Sequence, residues 1–182
     1  MNSTLSYYKQ DSSERLSFRR LTLNDVELWS RFFENNDREQ FLGPVNSELT
    51  NFQKANNWIT RQIERYESNE YGQLAVIDQE SNTLIGVGGI IPRELDGKVE
   101  FEISYSLLPN KWGNGFATEI AKHFKNWAIS NQLTNSIISI IHVDNFPSKN
   151  VALKNDMNLE NRTFFMSIPD EIYRYYILDY FF

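Results

Sequence analysis

The chain contains no cysteine and only two histidines. The first absence excludes a disulfide scaffold, a thiolate metal site and a cysteine nucleophile, and no metal-ligand spacing includes either histidine. Lone histidines such as His123 and His142 are ordinarily structural, so no metal is expected. Apolar runs fall short of the ~20 residues that a membrane span needs. The opening stretch MNSTLSYYKQDSSERL lacks the basic and apolar regions of a secretory signal. No membrane partner is therefore expected, and a cytoplasmic location fits. Basic charge is scarce as well: the formal net charge is −6, and RLSFRR, the nearest thing to a basic patch, reads as a first strand with solvated arginines. Nucleic acid is not an expected partner. An acidic surface favours cationic substrates such as amines through steering, a weak bias because many proteins are acidic merely to stay soluble.

What remains is ample for a fold. With 41% hydrophobic and 14% aromatic residues in 182, the chain has enough apolar surface for one substantial core. No repeat or linker divides it. Residues 1–14 read as a flexible N-terminal arm, and 15–182 as a single domain. Arg15 to Leu21 alternates as a strand, and Thr22 with Asp25 resembles a capping box ahead of a helix in LNDVELWSRFFENN. A second helix fits Ser47 to about Ser68, with Phe52, Ala55, Ile59, Ile63 and Tyr66 marking one buried face. GQLAVID, TLIGVGGII and KVEFEISYSLL then read as three antiparallel strands, with Asp96-Gly97 a hairpin signal. A helix from about Ala117 to Ser130, a buried strand over Ser136 to Val143, a short helix in PSKNVALKND and two strands in RTFFMSI and IYRYYILDYFF complete the chain. Trp29, Trp58 and Trp127 fall in amphipathic helices as core residues. The order β-α-α-β-β-β-α-β-α-β-β makes the class α+β, with a curved mixed sheet of six or seven strands and about four helices. It does not alternate as a Rossmann domain does.

SLLPNKWGNGFATEIAKHF (Ser106 to Phe124) is the segment with chemical content. A strand, two glycines and a helix start together make an anion site, because the first helical amides point outward with the positive end of the helix dipole. Glycines also close loops and cap helices, so the bare pattern carries both readings. No Lys-Ser/Thr follows, which excludes a Walker loop, and the segment does not follow the first strand, as a dinucleotide fingerprint would.

The span IGVGGIIPRELDGKVEFEISYSLLPNKWGNGFATEIAKHFKNWA, followed by DNFPSKNVALKNDMNLE, resembles the GNAT N-acetyltransferase superfamily in its RimJ/RimL-like branch. The resemblance covers about residues 15–180, and two separated motifs agree in spacing. It implies that the glycine segment is the pyrophosphate loop for acetyl-CoA, with Trp112, Gly113, Asn114, Gly115, Phe116, Ala117 and Thr118 around the phosphates. Trp112 takes a position that the superfamily usually fills with Gln or Arg, so backbone amides would carry the phosphates. It also implies a bulged fourth strand that diverges from the fifth, with the edge amides of Tyr105, Ser106 and Leu107 holding the pantetheine arm.

Glu102, matching the branch's acidic residue, is the candidate general base or amine anchor; a polar residue on an exposed sheet face is the competing reading. Ser148 matches a hydroxyl near the thioester sulfur and would protonate the thiolate or bind cofactor, although serine also caps helices. Asn145 would bind the pantetheine arm or serve as an ordinary turn residue. Lys154 would face the cofactor or solvent. The tyrosine acid of many relatives is replaced by Ala152, and the branch's glycine by Asp156. These features imply acetyl-CoA-dependent transfer to a primary amine, either a protein N-terminus or a small molecule, by direct transfer in a ternary complex. A non-catalytic acyl-CoA-binding module is the alternative. The first two helices and Tyr173, Tyr175 and Tyr176 are expected to form the acceptor wall. Both a monomer and a homodimer are compatible with the sequence.

Overall fold

A computed structural model describes residues 4–9, 12–42, 48–95, 97–164 and 172–179. The elements are α1 (Thr4–Tyr7), β1 (Leu16–Arg19), α2 (Val26–Ser30), α3 (Asn51–Glu67), β2 (Gln73–Asp78), β3 (Thr83–Leu95), β4 (Lys98–Leu107), α4 (Phe116–Ser130), β5 (Ser136–His142), α5 (Phe146–Lys154), β6 (Asn158–Phe164) and β7 (Ile172–Asp179). The strands form one α+β sheet in the order β1-β2-β3-β4-β5-β7-β6. Every neighbouring pair is antiparallel except β4 and β5, which are parallel and share a single registered pair, Glu102 opposite Ile138.

Two apolar layers cover the sheet. On one face Ile120, Ala121, Phe124 and Ala128 of α4 pack on Leu74, Val76, Ile85 and Ile103. On the other, Trp29 of α2 and Ala55 and Ile59 of α3 pack on Ala75, Ile77 and Val87. The alternation of strand side chains sorts β2 and β3 between the two layers.

Several boundaries differ from the sequence reading. The second helix starts at Asn51 because the capping box is Thr50/Gln53: the Gln53 amide donates to Thr50 Oγ1 (3.2 Å), and the Thr50 amide donates to Gln53 Oε1 (2.9 Å). Ser47 lies outside the described residues. The buried stripe of α3 begins at Ala55, while Phe52 in the first turn is exposed. The first expected helix is broken into 3-10 turns on either side of α2, and Asn36 Nδ2 caps the carbonyl of Phe32 at 2.7 Å. Of the hairpin pair, Asp96 lies outside the description, as do residues 165–168 and 180–182 of the last two expected strands.

The arm expected to be loose over residues 1–14 is pinned at Tyr7, which is fully buried. The Tyr7 hydroxyl donates to the Gly72 carbonyl (2.7 Å) and accepts from the Ile90 amide (2.7 Å). It thereby adds one rung beyond the last β2–β3 pair, Gln73 opposite Gly89. Tyr8, Tyr71 and Trp127 meet its ring edge-on. A polar local composition hides this docking, because its partners are more than 60 residues away.

Candidate active site

The site begins where β4 leaves β5. After the Glu102–Ile138 pair, Ser139 Oγ donates to the Ile103 carbonyl at 3.0 Å, and the strands then separate. The expected bulge in β4 is absent: its ladder to β3 runs unbroken from Leu107 opposite Gly86 to Lys98 opposite Leu95. Divergence from β5 alone opens the gap. The Leu108 amide donates to the Ile85 carbonyl at 2.9 Å, and antiparallel alternation then turns the backbone of Ser106 and Ser104 toward β3. Only Tyr105 and Leu107 present backbone groups to the gap, and the Leu107 carbonyl already accepts Trp112 Nε1 at 2.9 Å. Ser106, expected as an edge amide, lines the cleft without offering one.

The loop beyond β4 is built to expose amides. Gly113 and Gly115 both sit at φ 79°, left-handed conformations that side-chain-bearing residues adopt at a cost. Gly115 is the N-cap of α4, and the first helical bond is the Glu119 amide to the Gly115 carbonyl at 3.1 Å. The amides of Phe116, Ala117 and Thr118 therefore have no acceptor within the helix. Asn114 is spent on the loop itself, its Nδ2 donating to the carbonyls of Lys111 (3.2 Å) and Trp112 (3.0 Å).

Three residues not expected at the site from the sequence, Arg15, Glu119 and Arg38, fasten this loop. Arg15 Nη1 donates to the Asn114 carbonyl at 3.0 Å, and the same guanidinium meets Glu119 at 2.7–2.8 Å and lies over the Phe116 ring. Glu119 also accepts from Ser13 Oγ (2.7 Å) and the Arg15 amide (2.8 Å). Partial burial works against ionisation of this carboxyl, but the Ser13 and Arg15 donors outweigh it and hold the group below its ordinary range. Arg38 stacks its guanidinium 3.8 Å above the Trp112 ring. Proximity of an Arg-acid pair across about 100 residues leaves no local signal.

A cavity of about 280 Å³ runs along this loop. Of the expected cofactor residues, Tyr105, Ser106, Leu107, Trp112, Gly113, Gly115, Phe116, Ala117, Thr118, Asn145 and Lys154 line it, and Asn114 does not. Arg38, Lys111 and Lys154 are its charged walls, with no carboxylate among the lining residues. Lys111 Nζ reaches Asp78 Oδ2, outside the lining, at 3.2 Å, so Arg38 and Lys154 carry the surplus. Such a surplus of positive charge in a chain of net charge −6 favours an anionic occupant.

A second cavity, of about 220 Å³, lies on the α3 side of β4. Tyr105, Ser106, Asn145 and Ser148 line both, so the two form one continuous cleft. Glu102 faces this second cavity. It is not on an exposed face: it is 7% exposed, and Arg93 Nε donates to its Oε2 at 2.6 Å. Beside it, Trp58 Nε1 donates to Gln73 Oε1 (2.7 Å), and Gln73 Nε2 donates to Ser104 Oγ (3.0 Å).

The hydroxyls of Tyr105 and Ser148 lie 3.1 Å apart at the junction. Burial is the main reason that the Tyr105 phenol titrates well above its ordinary value; the Ser148 hydrogen bond opposes this, and the nearby Glu102 charge adds to it. Asn145, as the N-cap of α5, accepts the Ser148 amide at 3.2 Å, so capping belongs to Asn145 and leaves the Ser148 hydroxyl to the cleft. Ala152, at the position of the relatives' tyrosine acid, is buried with Ile141 and Met157. Asp156 adopts φ 64°, which explains why the related pattern has glycine there. His123 stacks on Phe18, and His142 Nδ1 accepts the Asp144 amide. No group of three metal-ligating side chains occurs among the described residues. The side chains of Tyr173, Tyr175 and Tyr176, expected at the acceptor wall, lie outside the description; their backbone pairs β7 with β5.

Comparison with known proteins agrees with this geometry. The N-acetyltransferase YoaA of Bacillus subtilis is 25% identical over 142 residues, covering 78% of each chain. The crystal structure of a GNAT-family acetyltransferase from Bacillus anthracis superposes with a TM-score of 0.71 at 22% identity, over 93% of this chain and 98% of that one. The RimL ribosomal-protein alpha-N-acetyltransferase in complex with coenzyme A superposes with a TM-score of 0.74 at 16% identity, over 92% and 96% of the two chains. Residues 15–158 match the acetyltransferase (GNAT) domain family. The chain belongs to the GNAT acetyltransferases, with RimL-type proteins among its structural relatives, and is an acyltransferase enzyme.

Proposed function

We propose that the protein is an acetyl-CoA-dependent N-acetyltransferase that transfers the acetyl group directly to a primary amine in a ternary complex. The observation that carries this reading is the meeting of two cavities at the Tyr105–Ser148 hydroxyl pair. One is cationic with outward amides, which suits a pyrophosphate; the other presents a buried carboxylate. The loop amides of Phe116, Ala117 and Thr118, with Lys154 and Arg38 nearby, would hold the phosphates. The free edge of β4 at Tyr105 would pair with the amide-bearing arm in the manner of an added strand. Bound there, acetyl-CoA supplies the activated acyl carbonyl.

The remaining chemistry falls to side chains. The acceptor must be a neutral amine, and Glu102 is the group facing the acceptor cavity that would take its proton, directly or through water. As the N–C bond forms and the C–S bond breaks, the thiolate needs a proton. Ser148 Oγ would donate it and recover one from Tyr105 or solvent. Tyr105, kept protonated by burial, suits the part of a standing donor to Ser148. This hydroxyl pair replaces the tyrosine that Ala152 displaces.

The test combines coenzyme A calorimetry with thiol release over an amine panel. Glu102→Gln and Ser148→Ala should each lower kcat by about 10²- to 10⁴-fold while acetyl-CoA affinity stays within a few-fold. Unchanged turnover in both variants would remove these residues from the mechanism. Failure to bind acetyl-CoA or coenzyme A at all would sink the reading.

A further inference from the structure

The acceptor cavity has a charge pattern that acetyl transfer alone does not require. Its walls carry three guanidinium groups, Arg61 and Arg65 from α3 and Arg93 from β3, against one carboxylate, Glu102. Arg93 is engaged with Glu102, and the Arg65 guanidinium donates to the Tyr71 carbonyl at 3.2 Å and reaches Glu70 at 3.6 Å. Arg61 makes no ion pair or hydrogen bond with another described residue. Arg61 and Arg65 stand one helical turn apart on the same face, an arrangement of like charges that destabilises an isolated helix. Both line the cavity, and no carboxylate of α3 pairs with either. Arg61 is thus, among the described residues, a cation without a counter-charge on the cavity wall, and Arg65 one turn away has only a long contact to Glu70 as its ion pair. In a chain of net charge −6, this points to an anion brought in from outside.

We propose that the acceptor is an amine that also carries a carboxylate, with the anion seated on Arg61 and Arg65 and the amine directed toward Glu102 and Ser148. Planar guanidinium forks suit a carboxylate better than ammonium groups would. The inference rests on the acetyltransferase reading and narrows it: the acid-rich surface predicts cationic amines, and the cavity reverses that prediction. The carboxylate belongs either to a free amino acid or to an acidic residue near the N-terminus of a peptide, and the recognition chemistry is the same.

The experiment uses matched acceptors that differ only in charge: glutamate against its diamide, short peptides with acidic or neutral second and third residues, and spermidine. Each is assayed by thiol release with acetyl-CoA and, independently of turnover, by calorimetric binding to the coenzyme A-loaded protein. The expected result is a preference for the anionic member of each pair that weakens as salt rises. Arg61→Gln should reduce that preference about tenfold to hundredfold, chiefly through KM, as loss of a charged hydrogen bond does. Faster glutamate turnover would assign a small-molecule acceptor, and faster acidic peptides an N-terminal one; either supports the inference. Anionic amines that bind through Arg61 without being acetylated support the carboxylate seat and sink the acetyltransferase reading that makes the bound amine an acceptor. Preference for neutral or cationic amines, an unchanged preference in Arg61→Gln, or anionic amines that neither bind nor react would overturn it.

Discussion

Replacing Tyr7 by Phe tests whether the N-terminal segment is structural. The substitution keeps the ring and its edge-on contacts and removes one oxygen. That oxygen serves two buried backbone groups, the Gly72 carbonyl and the Ile90 amide, each at 2.7 Å. Burial holds the phenol protonated far above its ordinary range, so it donates across the whole accessible pH range. Removing it leaves one acceptor and one donor without a partner, at about 1–3 kcal/mol each. The expected loss is about 2–6 kcal/mol, a large share of the ~5–15 kcal/mol that holds a typical domain together. For a chain of this length the melting temperature should fall by about 4–24 °C. Thermal melts and urea titrations followed by circular dichroism measure both quantities. Tyr8→Phe is the control, because the Tyr8 hydroxyl meets the Glu70 carbonyl in an exposed setting and its loss should cost under about 1 kcal/mol. A Tyr7→Phe protein within about 0.5 kcal/mol of the parent would mean that the hydroxyl is not a rung of the sheet.

Three further outcomes follow from the loop and the last helix. Glu119 is held below its ordinary range, so its stabilisation is complete above the unfolded carboxylate pKa of about 4.3 and is lost as pH falls through the lower folded value. Glu119→Gln should flatten the acid limb of a stability-pH curve and weaken coenzyme A binding by about threefold to tenfold through a looser loop; an unchanged limb would refute the assignment. Gly115→Ala meets no clash, since the nearest atom, Arg15 Nη2, lies 3.5 Å away, but should carry about 1–3 kcal/mol of backbone strain and reduce coenzyme A affinity, read by calorimetry. Asp156→Gly should raise stability by about 0.5–1 kcal/mol in urea titrations, relief of strain exceeding the entropy that glycine adds. The Lys125 ion pair that it removes ends on a side chain 81% exposed and contributes little.

The parts of this molecule that were legible in the sequence are those with local causes. Gly113 and Gly115 announce a turn with positive φ, the β-branched run at Ser136 to Val143 announces a buried strand (observed over Ser136–His142), and helix α4 follows from its helical pattern. Glu102 and Ser148 were visible as residue types in a pattern, but not their partners. Arg93 reaches Glu102 across the β3–β4 hairpin, and Tyr105 reaches Ser148 from another element; neither pairing has a spacing that periodicity can register. Tyr7 was misread for the same reason, since its acceptor and donor are supplied by strands far along the chain. Ser106 shows a subtler limit: apolar patterning locates an edge, but which backbone groups face outward depends on register, and register was set by Leu108 pairing with Ile85.

The single rung between β4 and β5 makes β4 two kinds of strand in one. Up to Ile103 it is interior; at Tyr105 and Leu107 it is an edge. Open edges invite pairing with other chains and are a common route to aggregation. This one lies at the bottom of a cleft walled by α5 and the glycine loop, where a slender extended molecule fits and a strand carried on another folded domain does not. The cleft therefore acts as a size filter on strand addition. Slowed hydrogen exchange at the Tyr105 amide would report when the filter has admitted its ligand.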